Sequence, residues 1–164
     1  MQIILFLNTI FKQLKSFIKF RIISKMSIKQ VAISAHKAPV NMVKINYDGD
    51  LLFAASNDFR VTMFYAYSGE RIGTFSCKAA VKKIDITRDS KYLITCTLNG
   101  FIQIFEVEGG LCLGGFNFDR LIRSMSLLAG DKQFLVLSDA IVNEEITQSK
   151  IHFLSLAKLK ELFV

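Results

Sequence analysis

No tryptophan occurs among the 164 residues, and proline appears once, as Pro39. Nine glycines complete the supply of chain-breaking residues. That is too few for a Pro/Gly-rich linker, and no low-complexity run is present. Histidine is limited to His36 and His152, which argues against a zinc centre, because tetrahedral zinc needs four converging ligands. The three cysteines, Cys77, Cys96 and Cys112, form no CxxC pair. Their odd number and wide spacing fit reduced, mostly buried thiols of a cytosolic protein. No metal and no other cofactor is expected.

What is abundant is apolar residue. The hydrophobic fraction is 51% and charged residues make up 21%, enough to build a buried core and to disfavour disorder. The net charge of +7 is unevenly placed. Residues 1–25 hold Lys12, Lys15, Lys19, Arg21 and Lys25 with no acid, which leaves only +2 for residues 26–164. A nearly neutral body lacks the dense basic face that phosphate recognition requires, so direct nucleic-acid binding is disfavoured.

Residues 1–25 form a distinct extension. The uncharged stretch Met1–Phe11 is too short to cross a bilayer. A secretory signal carries its charge before the apolar stretch; here it follows. Phe6, Ile10, Leu14 and Phe17 trace a rough helical stripe with lysines beside it. Three readings follow: an interfacial membrane helix or organellar presequence, a helix packed on the body, or a segment foreign to the fold. The third is preferred, with Met26 as the true start of translation, because the composition changes there. Membrane association is expected only through this extension.

From Val40 the chain repeats itself. Val40–Phe64 (VNMVKINYDGDLLFAASNDFRVTMF) aligns without a gap on Val81–Phe105 (VKKIDITRDSKYLITCTLNGFIQIF) at an offset of 41 residues. A third copy starts at Ile122, with Met125, Leu127 and Phe134 in register, and takes a polar insertion around Asp139–Thr147 before Lys150–Phe153 completes it. A period near 40 is that of one four-stranded propeller blade. Val40, Val43 and Ile45 alternate at the strand period, which places one face in the core. Asp48-Gly49-Asp50 and Asn57-Asp58 supply turns, and Leu51–Ala55 reads as a strand covered on both faces. No helical stretch intervenes, which disfavours a βαβ class. The expected fold is all-β: a partial WD40-type β-propeller over residues 26–164, with blades at about 40–75, 81–116 and 122–164.

Blades of this kind often carry a hydrogen-bonded tetrad. In the first copy its members are His36, Ser56, Asp58 and Phe64, with Phe64 in place of the usual tryptophan and therefore without an N–H to donate. Links from His36 to Asp58 and to Ser56 are expected. The second copy has Cys77, Thr97, Asn99 and Phe105 at these places, and the third has Phe118 at the histidine position.

Two segments carry a more specific likeness. Ile45–Phe53 (INYDGDLLF) and Tyr67–Phe75 (YSGERIGTF) resemble the WD-repeat i subunit family of eukaryotic translation initiation factor 3, as does Ile122-Arg123-Ser124 with the longer connection after Ser138. The likeness covers about residues 28–156. The chain departs from the family pattern at Ala35, where a glycine precedes the histidine, and at every WD tryptophan. The resemblance implies a cytoplasmic scaffold of the initiation machinery, with the b and g subunits of that factor as partners and the small ribosomal subunit reached through them. The alternative is a WD scaffold in a signalling or trafficking complex. A phosphoinositide-binding propeller would carry Phe-Arg-Arg-Gly, which is absent.

Enzymatic readings are weaker. His36 is explained by its tetrad place, Glu144-Glu145 by a solvated loop, and Gly109-Gly110 and Gly114-Gly115 flank a strand with no helix following to bind phosphate. No catalytic residue and no small-molecule substrate are expected. Three blades do not close a ring of four to eight, so the first and last are expected to expose an apolar face each. A truncated product, cover from residues 1–25, a second copy or a partner would each answer that exposure.

Overall fold

A computed structural model describes residues 33–118, 120–142 and 145–157, with side chains described outside 140–148. The extension at 1–25 and the start at Met26 lie outside the described residues. So does Glu144.

Three antiparallel sheets follow one another. The first is β1 (Val40–Ile45), β2 (Leu51–Ser56), β3 (Arg60–Tyr65) and β4 (Arg71–Ser76), paired in that order. The second is β5 (Val81–Ile86), β6 (Tyr92–Thr97), β7 (Phe101–Glu106) and β8 (Cys112–Asn117), again in chain order. Every strand of the second sheet begins 41 residues after its counterpart in the first. The third comprises β9 (Leu121–Leu127), β10 (Gln133–Val142) and β11 (Glu145–Ser155), ordered β11-β10-β9.

The repeat extends to irregularities. A register shift falls between Val40 and Met42 in β1, between Val81 and Lys83 in β5, and between Ile122 and Ser124 in β9, where Leu137 faces Ser124 and Ser138 faces Ile122. The turn after each first strand needs a left-handed residue at one place, occupied by Gly49 (φ 79°), Ser90 (φ 58°) and Asp131 (φ 54°). Its closure is local. The Asn46 carbonyl oxygen accepts the N–H groups of Gly49 and Leu51, and the Thr87 hydroxyl accepts that of Tyr92. Short polar side chains at such sites mimic a backbone turn, which is why they stand there.

Two expectations are corrected. The third sheet has three strands among the described residues, not four. Ser155 stands in the register place of Glu106, so a fourth strand would fall beyond Ala157, outside the described residues. The polar insertion is not a loop either. Asp139–Thr147 continues the β10–β11 hairpin, with Val142 paired to Glu145 and a bulge between Ala140 and Ile141. Backbone pairing satisfies the inserted peptide groups, which a looped-out path would leave to solvent.

The core lies between sheets. Phe53, Ala55, Val61 and Met63 of the first sheet pack against Val81, Ile84, Ile86, Leu93 and Phe105 of the second. Ile94, Cys96, Ile102 and Ile104 of the second pack against Ile122, Met125, Phe134 and Val136 of the third. Phe75 caps the first junction, edge-on to Phe105 at 5.5 Å between ring centroids. Each fully buried Phe, Ile, Leu or Val contributes about 1.5–3 kcal/mol of hydrophobic stabilisation, so these junctions hold the sheets together.

Candidate functional site

Each sheet therefore has a trailing face, which packs on the next sheet, and a leading face, which receives the previous one. The trailing positions repeat at 41: Phe53, Ala55, Val61 and Met63, then Ile94, Cys96, Ile102 and Ile104. Cross-strand pairing maps them onto the third sheet. Phe53 faces Met63 and Ile94 faces Ile104, as Leu135 faces Phe153; Cys96 faces Ile102 as Leu137 faces Ile151. The leading positions are Val81, Ile84 and Ile86 in the second sheet, with Val40, Val43 and Ile45 as their counterparts in the first.

Both terminal faces are open. Val81, Ile84 and Ile86 are 0%, 0% and 8% exposed, whereas Val40, Val43 and Ile45 are 48%, 55% and 52% exposed. The alternating pattern of β1 thus does not place Val43 and Ile45 in the core. The side chains are of the right kind, but no preceding sheet lies against them among the described residues. At the other end, Ile151 and Phe153 are 65% and 69% exposed. A groove of about 400 Å³ sits on the leading face of the first sheet, lined by Val40, Val43, Leu52, Ala54, Phe64 and His36. Apolar, uncharged and on rigid strands, these faces are suited to docking a protein surface.

The tetrad positions lie beside that groove. His36, with a side chain 2% exposed, donates from Nδ1 to the Asp58 carboxylate at 3.0 Å, and Lys37 N–H adds a bond to the same group at 3.2 Å. Burial raises the Asp58 pKa, but the bond from His36, the Lys37 amide, the His36 charge and Ser56 together hold it below its ordinary value. Ser56 does not reach His36. Its hydroxyl lies 3.1 Å from the carbonyl oxygens of Ala38 and Pro39, and it accepts the Asp58 amide at 3.2 Å. His36 Nε2 is consequently buried without a partner. Phe64 is 3% exposed and closes the groove as an apolar wall. In the second sheet Cys77, at the histidine place, has its Sγ 3.7 Å from the Thr95 hydroxyl. In the third, Phe118 stacks edge-on with His152 at 4.6 Å, and His152 Nε2 bonds the Ser138 hydroxyl at 2.9 Å. The third sheet thus keeps a Ser–His bond but supplies the histidine from β11, a partner that the repeat alignment alone does not identify.

Polar contacts knit the junctions near the first strands. Asp85, 6% exposed, takes Lys44 Nζ of the first sheet at 2.9 Å, while its other oxygen accepts the Leu127 amide of the third at 2.8 Å. One carboxylate joins three sheets, and nothing in its local sequence announces that role. Arg88 lies over the Tyr47 ring at 4.3 Å and donates to its hydroxyl at 2.7 Å. Asp139, expected in a loop, is 1% exposed. Arg123 and Ser149 bond its carboxylate and lower its pKa.

The residues weighed for chemistry fall elsewhere. His36 is enclosed and committed to Asp58. Gly115 lies in β8 where a Cβ would come within 2.5 Å of the Ile102 carbonyl oxygen, so it serves close strand packing and not phosphate binding. Among the described residues no group of three or more His, Cys, Asp or Glu is placed to hold a metal, and no helix is long and apolar enough to cross a membrane.

Comparison with known proteins agrees with this architecture. The WD domain, G-beta repeat family matches residues 27–64 and 69–106. Eukaryotic translation initiation factor 3 subunit I of Dictyostelium discoideum is 36% identical over 125 residues, 76% of this chain and 37% of that protein. The chain is a WD-repeat protein related to subunit I of eukaryotic translation initiation factor 3. The Saccharomyces cerevisiae protein of the same name is 27% identical over 116 residues, 70% of this chain and 33% of that protein. This WD-repeat chain spans about a third of the length of these relatives. Among solved structures, the RRP9 WD40 repeats superpose with a TM-score of 0.59 at 17% identity, covering 71% of this chain and 40% of that one. The structure of U3-55K gives 0.60 at 16% identity, covering 72% and 41%. Those two show that the sheets are WD40 blades and carry no further information on function.

Proposed function

We propose that this WD-repeat protein is a scaffold subunit of eukaryotic translation initiation factor 3 that binds other proteins during initiation of protein synthesis. The observation that supports it is the 36% identity over 125 residues to a subunit I, a match that covers 76% of the chain. WD-repeat relatives of this kind are non-catalytic. The geometry is of the same character: rigid antiparallel sheets presenting exposed apolar and aromatic side chains, including Tyr47, Tyr67 and Phe153, and a buried histidine committed to a carboxylate. Its work would be the presentation of loops and blade faces to partners, with no covalent chemistry.

On this reading the direct partners are the b and g subunits of the factor, the small ribosomal subunit is reached through them, and the protein acts in the cytoplasm. Affinity purification of the endogenous protein tests it. Co-purification of the other initiation-factor subunits in stoichiometric amounts is expected. Recovery of a signalling or trafficking complex instead would sink the assignment and favour a WD scaffold of another kind.

A further inference from the structure

The two open faces are the two halves of a junction that the chain already makes twice. In both internal junctions a trailing quartet meets a leading set from the next copy: Phe53, Ala55, Val61 and Met63 against Val81, Ile84 and Ile86, then Ile94, Cys96, Ile102 and Ile104 against Ile122 and Met125. The third sheet presents a quartet of the same kind, Leu135, Leu137, Ile151 and Phe153, placed by the same cross-strand register. The first sheet presents the matching set, Val40, Val43 and Ile45. Neither face bears a charge at these positions, so no like-charge or buried-charge cost opposes their union. The side chains also match in kind: β-branched Val and Ile on the leading side, larger Leu, Ile and Phe on the trailing side, as between the first two sheets.

We propose that the chain pairs with a second copy of itself, the trailing face of each third sheet seated on the leading face of the other's first sheet. The contact is head-to-tail, with different patches meeting, and two copies make it twice. Six stacked sheets result, within the range of four to eight at which propellers close. Closure covers Val43 and Ile45, and Ile151 and Phe153, with surfaces of the kind that already cover Ile84 and Ile102. The pairing is independent of the initiation-factor reading, since it depends only on the chain's own faces.

Sedimentation velocity on the full chain across a concentration series tests this. A dimer is expected, with no larger species. Two double variants separate the faces: Val43→Asp with Ile45→Asp, and Ile151→Asp with Phe153→Asp. These positions are solvent-exposed in the single chain, so both variants should keep the wild-type far-UV circular dichroism. Each alone should weaken dimerisation about 100-fold or more, because a carboxylate would be buried without a partner. The discriminating arm is their equimolar mixture. Each variant retains one good face, and the retained faces are complementary, so a dimer should reappear through a single junction. A wild-type monomer at all concentrations, variants that still dimerise, a mixture that stays monomeric, or wild-type assemblies larger than two chains would each overturn the proposal.

Discussion

The turn between the second and third strands offers a test of the repeat at one backbone position. Gly100 has φ 85°, and its counterpart 41 residues earlier is Phe59, with φ 67°. A Cβ at Gly100 would lie 2.5 Å from the Arg120 carbonyl oxygen and 3.3 Å from its amide nitrogen. Gly100→Ala therefore meets the left-handed penalty of about 1–2 kcal/mol and a contact that only backbone movement relieves. Loss of unfolded-state freedom returns about 0.4–1 kcal/mol. The net expectation is destabilisation of about 2 kcal/mol. Phe59→Gly runs the other way. It relieves about 1–2 kcal/mol of left-handed strain, but glycine costs about 0.5–1 kcal/mol in chain entropy. Loss of a ring that is 52% exposed costs about 1 kcal/mol more. The sum lies within about 1 kcal/mol of zero. Urea denaturation followed by far-UV circular dichroism, at one fixed protein concentration, measures both. With a slope of about 2 kcal/mol per molar, Gly100→Ala should lower the midpoint by about 1 M while Phe59→Gly stays near wild type. A Gly100→Ala midpoint equal to wild type, or equal losses in both variants, would refute the reasoning.

Further predictions concern the histidine pair and the thiols. Asp58 has its folded pKa below the ordinary value of 3.8, so its stabilisation is fully present above about pH 5 and is lost as pH falls through the folded pKa. The stability gap between wild type and Asp58→Asn should accordingly be constant near neutrality and narrow below about pH 4 in denaturant titrations. With Nδ1–H given to Asp58, neutral His36 leaves Nε2 as an unsatisfied acceptor. Ala54 occupies the repeat position of Thr95, whose hydroxyl lies beside Cys77 in the second sheet. Ala54→Thr should supply that hydroxyl and stabilise by about 1 kcal/mol; an unchanged or lower unfolding free energy counts against it. Burial pushes the Cys96 thiol up to about 12 and Cys77 up to about 11, the latter despite the Thr95 hydrogen bond. Exposed Cys112 should react first with an aromatic disulfide reagent at neutral pH, and Cys96 only on unfolding. Equal rates for all three would show that the blades do not shield their cores.

The one-dimensional order of this protein was written in the sequence, because it follows from contacts a few residues apart. The 41-residue offset, the alternation of Val40, Val43 and Ile45, and the turns at Asp48-Gly49-Asp50 and Asn57-Asp58 set where strands begin and end, and the model's strands begin at the same spacing. Two family-like segments, Ile45–Phe53 and Tyr67–Phe75, were legible in the same way. Burial was not. Val43 and Ile84 occupy one pattern position, yet one is open and the other sealed, because a face is covered only by whatever sheet stands before it. Three other features depended on groups converging from separate sheets or strands. Asp85 collects bonds from three sheets, His36 loses Ser56 to nearby carbonyls, and His152 takes over on β11. Local chemistry determines a strand; which partner a side chain meets is decided only when distant strands are brought to the same few ångströms.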